Sequence, residues 1–260
     1  MTAETNIRTN EHAALVNAMC RMGEMLLDAG SETHRTEDTL SRIAEASLAV
    51  RSDIYVITAS IVITLTFADG EQITSTRRIT STAGTDFQKL EALNELSREY
   101  CSSPFSADEF MTRLDAIEKQ DDSAVLRLLG SMLAAGSFAM FFKGTWMDGA
   151  AAALFACMIW QLKRFSAGHR LNQVAFSINA AFLNGLLIVL ICRLLPFLNA
   201  DKIIIGDIML LIPGIALTNA VRDILVGDTI SGTMRLIESL MWAFALAAGY
   251  MAAIAIGGLL

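Results

Sequence analysis

Residues 210–240 read LLIPGIALTNAVRDILVGDTISGTMRLIESL. The segment opens as apolar as a helix facing lipid. Pro213 and Gly214 then interrupt it, because proline offers no backbone donor and clashes with the preceding turn, and glycine loosens that turn further. Asn219, Arg222, Asp223, Asp228, Arg235 and Glu238 follow. An ionised group in hydrocarbon costs several kcal/mol, so charges at membrane depth are paired or line a wet cavity. Asn219, Arg222 and Asp223 stand at i, i+3 and i+4 and share one helical face.

The flanks show why membrane depth is at issue. Hydrophobic residues make up 53% of the 260 residues and the mean hydropathy is +0.47, high for a soluble chain. Charge is unevenly spread. Residues 1–125 hold 11 Lys/Arg against 21 Asp/Glu, and residues 126–260 hold 9 against 6. The first part therefore reads as a soluble domain and the second as a membrane domain. An acidic soluble half argues against nucleic-acid binding, which needs a basic face. The polar start, MTAETNIRTNEHAA, lacks the apolar stretch of a cleavable signal, so the soluble half is expected in the cytoplasm. Cys20, Cys101, Cys157 and Cys192 are far apart and have no zinc or disulfide spacing.

Residues 1–122 are expected to form a cytoplasmic α+β domain. Leu15, Met19, Met22, Met25 and Leu26 recur at helical spacing over 12–29, and Gly30 is a stop signal. A second helix over about 33–49 uses Leu40, Ile43, Ala44 and Leu48. Ile61, Ile63, Leu65 and Phe67 then alternate with polar or smaller residues, and Asp69-Gly70 predicts a hairpin turn. Residues 53–58 are a candidate third strand. Thr85 with Gln88 resembles a capping box opening a helix, and another helix is expected over about 106–119.

Residues 123–260 are expected to be an α-helical membrane domain with about five transmembrane helices, over 124–142, 145–162, 171–192, 203–221 and 236–260. With the acidic domain inside, the inner loops carry Lys163, Arg164, Arg170, Arg222 and Arg235, and the outer loops Lys143, Arg193 and Lys202, in the direction of the positive-inside rule. Asp148 and Asp207 fall near outer span ends and are weaker candidates for function, since each could simply face water. Asn179 and Asn184 lie inside the third span, as interhelical bonds or path lining. Ala245, Gly249, Ala253 and Gly257 form a stripe of small residues that lets another helix approach closely, or is the accident of an alanine-rich span.

Two readings of the charged segment stand side by side. As a functional site, Arg222 holds a substrate carboxylate through its fork, Asp223, Asp228 or Glu238 carries a proton, and Asn219 bonds an amine or hydroxyl. Broken helices of carriers place polar groups at the midplane in this way. As plain structure, Arg222 pairs with Asp228, Arg235 pairs with Glu238, and the stretch joins two helices. In the first domain, His34 stands among Glu32, Glu37 and Asp38, but a lone histidine is a weak metal signal. Glu32 and Arg35 at i, i+3 suit a local ion pair. No metal site or cofactor is expected. GxSxG, HExxH and a Ser/His/Asp grouping are absent from the sequence, so an enzyme is not expected.

The segment LIPGIALTNAVRDILVGDTISGTMRLIES resembles the signature of the threonine/serine exporter family. DAGSETHRTEDTLSRIAEA resembles that family's first helix pair, and GTDFQKLEALNEL, the strands and the spans follow in matching order. Residues matching the pattern are Pro213, Gly214, Thr218, Asn219, Arg222, Asp223, Gly227, Asp228, Ser231, Gly232, Arg235 and Glu238, with Gly30, Glu32, Arg35 and Glu37 near the start. The resemblance implies a secondary exporter of small polar metabolites in the cell inner membrane, coupled to the proton gradient. Full-length members continue into a second membrane half, and the chain resembles the split form that needs a second, smaller membrane subunit. In one split pair the substrate is succinate, so a threonine/serine-type amino acid and a dicarboxylate both remain open. Membrane lipid is the surrounding partner, and a homo-oligomer is open. Glu32, His34, Arg35 and Glu37 are the candidates for regulation. The competing class is a membrane-anchored sensor or scaffold whose cytoplasmic domain binds a ligand, although an anchor has no need of Pro213-Gly214 or the polar cluster.

Overall fold

The computed structural model describes residues 2–47, 49–80, 85–120, 123–167 and 172–259. Leu48, Gly84, Arg170 and Leu171, used in the sequence analysis, lie outside them. The chain separates into two compact units, Met1–Gln120 with Ile215–Leu236, and Asp121–Gly214 with Ile237–Leu260.

The first unit begins with α1 (Thr2–Asp28) and α2 (Thr33–Ala46). Helix α1 starts ten residues before the apolar periodicity does, and α2 stops short of the expected residue 49. Three antiparallel strands follow in the order β1 (Arg51–Ile57), β2 (Ser60–Thr66) and β3 (Gln72–Arg78). In β2, Ile61, Ile63 and Leu65 are fully buried while Val62, Thr64 and Thr66 are half-buried, so one sheet face is covered. That is the period-two pattern working as expected. The β2–β3 connection turns at Asp69-Gly70, where Gly70 adopts φ +83°. The tight β1–β2 turn at Thr58-Ala59 carries no glycine or asparagine signal. Helix α3 (Phe87–Ser102) is capped by Asp86, whose side chain accepts from the Lys89 N–H. The expected cap at Thr85 is one residue off, because a carboxylate at 86 reaches the third amide of the helix directly. Helix α4 (Ala107–Glu118), expected over about 106–119, is capped by Ser106, whose side chain accepts from the Glu109 N–H. Met19, Met22 and Leu26 of α1, Leu40 and Ile43 of α2, the β2 face, Leu93 of α3, and Phe110 and Leu114 of α4 make one core.

The second unit holds α5 (Ala124–Phe141), α6 (Trp146–Ala167), α7 (Gln173–Leu194), α8 (Ala200–Leu211) and the later part of α10 (Thr229–Leu259). Its core is made largely of small residues: Ala135, Ala139, Ala152, Ala156 and Ala181 are fully buried. Small side chains let helix backbones approach, the packing that apolar solvent favours. A Cβ added at Gly206 of α8 would lie 2.5 Å from the Ala135 carbonyl oxygen of α5. A Cβ added at Gly249 would lie 2.6 Å from the Ile178 carbonyl oxygen, and one at Gly257 would lie 2.7 Å from Val189. With Ala253 fully buried, the small stripe of α10 is a packing face against α7.

Between α8 and α9 (Gly214–Val226) the helix is broken. Ile212, before the proline, is extended at φ −66°, ψ 131°, as pre-proline sterics require. Among the described residues, three helices are long and apolar enough to cross a membrane: Ala124–Phe141, Gln173–Leu194 and Thr229–Leu259. Ala200–Leu211 and Gly214–Val226 qualify only together, as a bent pair, which brings the number to as many as four. The expected span over 145–162 forms a 22-residue helix, α6, but Asp148 at one end and Gln161, Lys163 and Arg164 at the other dilute its apolar middle. The protein is thus mostly helical, with the helices of a membrane protein.

Asp148 does not face water. It is fully buried and accepts from Thr145 N (2.7 Å), Thr145 Oγ1 (2.9 Å), Asn199 N (2.7 Å) and Asn199 Nδ2 (2.9 Å). Four donors offset the loss of water, which the sequence could not reveal because Asn199 is 51 residues away. Asp207 is fully buried too, and so is Asn184, while Asn179 is exposed and bonds the Ala175 carbonyl. All four cysteines are free thiols.

Close backbone approach at Gly206 makes a clear stability test. Gly206→Val should destabilise the solubilised protein by about 1–3 kcal/mol through overpacking. Gly130→Ala in α5, where a new Cβ meets nothing within 4 Å, should stabilise it by about 0.5–1 kcal/mol through lost chain entropy. Thermal unfolding of the two variants in detergent, read against the parent, checks both signs.

Candidate functional site

The charged segment is built on two helix ends inside the first unit. Helix α1 closes with Gly30 at φ +93°, where Gly30 N donates to Leu27 O (3.0 Å) and Ser31 N to Leu26 O (2.9 Å). Helix α9 closes the same way: Gly227 sits at φ +109°, Gly227 N donates to Ile224 O (3.2 Å) and Asp228 N to Asp223 O (2.9 Å). Both are Schellman turns, which need glycine in the left-handed region. Helix α10 starts at once, and Gly232 lets it pass close to α9, since a Cβ there would lie 2.7 Å from Ala220 O. The result is two helical hairpins, α1–α2 and α9–α10.

Side chains of the second hairpin grip the turn of the first. Asn219 Nδ2 donates to Gly30 O at 3.2 Å, and Arg235 Nη2 donates to Ser31 O at 3.0 Å. Arg222 Nη1 meets Glu32 Oε1 at 2.9 Å. Glu32 stands at the N-cap position of α2, yet its side chain makes no capping bond and turns to Arg222. Thr33 Oγ1 donates to Asp228 Oδ2 at 3.3 Å. Within the second hairpin, Arg235 Nη1 lies 3.3 Å from Asp223 Oδ2. That oxygen has charge attraction to Arg235 without hydrogen-bond alignment to any described residue.

Five of the residues singled out in the charged segment thus come together, joined by Glu32 and by Gly30, Ser31 and Thr33. The local pairings expected from spacing do not form: Arg222 pairs with Glu32 and not Asp228, and Arg235 with Asp223 and not Glu238. Glu32 likewise pairs with Arg222 and not with Arg35. The reason is burial. Asp223 is 1% exposed and demands a cation, whereas Glu238 is exposed and solvated. Pro213 and Gly214 form the break that precedes α9.

The remaining candidates divide. His34 is exposed. Arg35 lines a groove of about 470 Å³ with Asp38, Arg42, Asn94 and Arg98. Glu37 accepts from Val56 N at 3.4 Å. Burial pushes its carboxyl above the usual range; the Val56 N–H opposes this, the Asp228 charge adds to it and His34 opposes it. His12, Asp69 and Glu71 bring ligating atoms within 4.8 Å of one another. A structural account suffices there, because His12 bonds Glu71 at 2.8 Å and stacks on Phe67.

Two stability measurements follow. Arg235→Leu should cost about 3–5 kcal/mol by stranding a buried carboxylate, and adding Asp223→Leu should recover much of it. Denaturant titration of both variants checks the pair. For Glu37 the folded form holds its proton more tightly than the unfolded chain. Its contribution is therefore full below the ordinary carboxylate range and is lost as pH rises through the raised value. Glu37→Gln should raise the melting temperature at pH 7 and leave it nearly unchanged near pH 4.

Two similar proteins, from Klebsiella aerogenes and Escherichia coli (strain K12), are each named "Probable succinate transporter subunit YjjP". They are 26% identical over 253 and 271 positions, covering 96% and 97% of this chain and 96% and 98% of theirs. No solved structure matches the chain. The sequence profile of the ThrE threonine/serine exporters matches residues 17–257. That match covers most of the chain, including the α1–α2 turn and the residues from Asn219 to Arg235 that grip it, so the chain belongs to the threonine/serine exporter family and is a membrane transporter, not an enzyme.

Proposed function

We propose that this chain is one half of a secondary exporter of small polar metabolites, driven by the proton gradient and completed by a second, smaller membrane subunit. Residues 1–122 are its cytoplasmic domain, and residues 123–260 cross the inner membrane about five times, with α6 and the bent α8–α9 pair each counted as a span. The need for a partner is supported by relatives that are named as subunits. The substrate is a threonine/serine-type amino acid or a dicarboxylate such as succinate; the relatives' name favours the dicarboxylate.

The observation that carries this reading is the state of Arg222. Its side chain is 60% exposed, yet a carboxylate is already seated on it, that of Glu32. A guanidinium fork binds any carboxylate with the same geometry. A substrate carboxylate would therefore compete with Glu32 for Arg222, and its departure would let Glu32 return. Asn219, one turn away on the same face, offers its amide to the rest of the solute. Asp228, which accepts from the Thr33 hydroxyl and forms no ion pair among the described residues, is the carboxylate available to an amine or a proton. On this reading Glu32 is a gate, which gives the regulatory group of the first domain a role.

The competing reading is a membrane-anchored sensor. The groove at Arg35, Arg42 and Arg98 is the feature that favours it, because three guanidinium groups face one carboxylate there. Efflux separates the two. Cells lacking their own exporters, preloaded with labelled threonine, serine or succinate, should export one of them only when this chain and its partner subunit are both present. Arg222→Gln and Asp228→Asn should each abolish that export with the protein still in the membrane. Normal export by both variants would remove the assigned roles, and efflux of no solute would turn the choice toward the sensor.

A further inference from the structure

The second unit holds a carboxylate that its surroundings do not complete. Asp207 on α8 is fully buried, in a helix pair that qualifies as a membrane span. Asn184 on α7, also fully buried, donates through Nδ2 to Asp207 Oδ2 at 2.6 Å and to the Tyr250 hydroxyl on α10 at 3.2 Å. The other oxygens of the same two side chains, Asp207 Oδ1 and Asn184 Oδ1, have no hydrogen-bond partner among the described residues. Asp148, four times bonded, shows how this protein completes the hydrogen bonding of a buried carboxylate. Asp207 has no such set.

The neighbourhood offers no cation to complete it. Among the described residues no lysine, arginine or histidine forms an ion pair with Asp207. Helix α5 presents Ala135 and Ala139 where it meets Gly206. Helix α6 brings Asp148 and Lys163 to the two ends of α8, but Asp148 is satisfied at Asn199 and Lys163 donates to Leu210 O at 3.3 Å. From α7 comes the neutral Asn184, and from α10 the hydroxyl of Tyr250. Two acceptors lack a donor, on two side chains already joined by one hydrogen bond. A buried polar atom left unpaired costs on the order of 1–3 kcal/mol. One proton on the carboxyl supplies the missing donor, and the amide oxygen of Asn184 is the acceptor of matching chemistry.

We propose that the Asp207–Asn184 pair is a proton-binding site within the membrane unit, taking up a proton on the free carboxyl oxygen and releasing it as the carrier turns over. This deepens the exporter reading and rests on it for the link to transport; the site itself is testable without transport. Asn184 and Tyr250 are positioning residues that hold the carboxyl.

Infrared difference titration of the full chain in lipid nanodiscs tests the site. The expected result is a protonated-carboxyl C=O band whose intensity falls as pH rises and which is lost in Asp207→Asn. Asn184→Leu should shift that band, which keeps the test open if the first variant does not fold. A band unchanged in both variants overturns the proposal, and a band abolished by sodium ions at constant pH replaces the proton with a metal cation. In vesicles containing the partner subunit, Asp207→Asn should keep substrate exchange at equal pH and lose efflux driven by a pH gradient. Gradient-driven efflux equal to the parent's overturns the coupling role. Absence of any transport by the parent, with the infrared band present, would instead count against the exporter reading alone.

Discussion

A helix that ends must place its last carbonyls somewhere, and in this protein that constraint fixes the site. The turn after α1 satisfies Leu26 O and Leu27 O with its own amides. It leaves the carbonyls of Gly30 and Ser31 to be met from outside, and Asn219 and Arg235 meet them. Arg235 does two tasks at once, because it also lies against buried Asp223. Its side chain is 12% exposed, so its charge must be offset locally. Glycine is required at both turns, Gly30 and Gly227, because each adopts a positive φ that a side chain would strain. The segment therefore cannot be understood as a stretch of membrane helix alone. Its conformation is set by the α1–α2 turn, roughly two hundred residues earlier in the chain.

Much of this was legible in the sequence, and what was not has a common cause. Alternation in β2 marked the buried face because a strand's two faces see different solvents. Pro213 marked the break and Gly30 the end of α1, because both act through the backbone and need no partner. The five-span count went further than apolarity supports, since α6 carries polar residues at both ends. The expected ion pairs, Arg222 with Asp228, Arg235 with Glu238 and Glu32 with Arg35, join residues a few positions apart in the sequence. The pairs that form are instead decided by burial: Asp223 takes Arg235, and Glu32 takes Arg222. Burial depends on packing that no local spacing encodes. The same blindness hid Asp207 and Asp148. An aspartate near the end of an apolar run looks alike whether it faces water, four donors, or one amide.

The two arginines of the hairpin differ in a way that bears on the proposed cycle. Attraction between unit charges at about 4 Å is about 1 kcal/mol in bulk water and several times that at the lower effective dielectric of a protein. The pair between Arg235 and Asp223 is almost wholly enclosed, so replacing either partner strands the other. Arg222 is 60% exposed, and its contact with Glu32 is correspondingly shallow. A solute carboxylate approaching from water loses little by displacing Glu32, whereas it has no access to Arg235. In that cycle the enclosed pair at Asp223, the residue next to Arg222 in α9, would keep Arg222 aimed at the same point whether Glu32 or a solute occupies it. Two cations facing the three carboxylates Glu32, Asp223 and Asp228 also leave the cluster one charge short. An amine, a proton or the departure of Glu32 would correct that imbalance. In the proposed cycle that imbalance, more than any single contact, would suit the hairpin to exchanging partners.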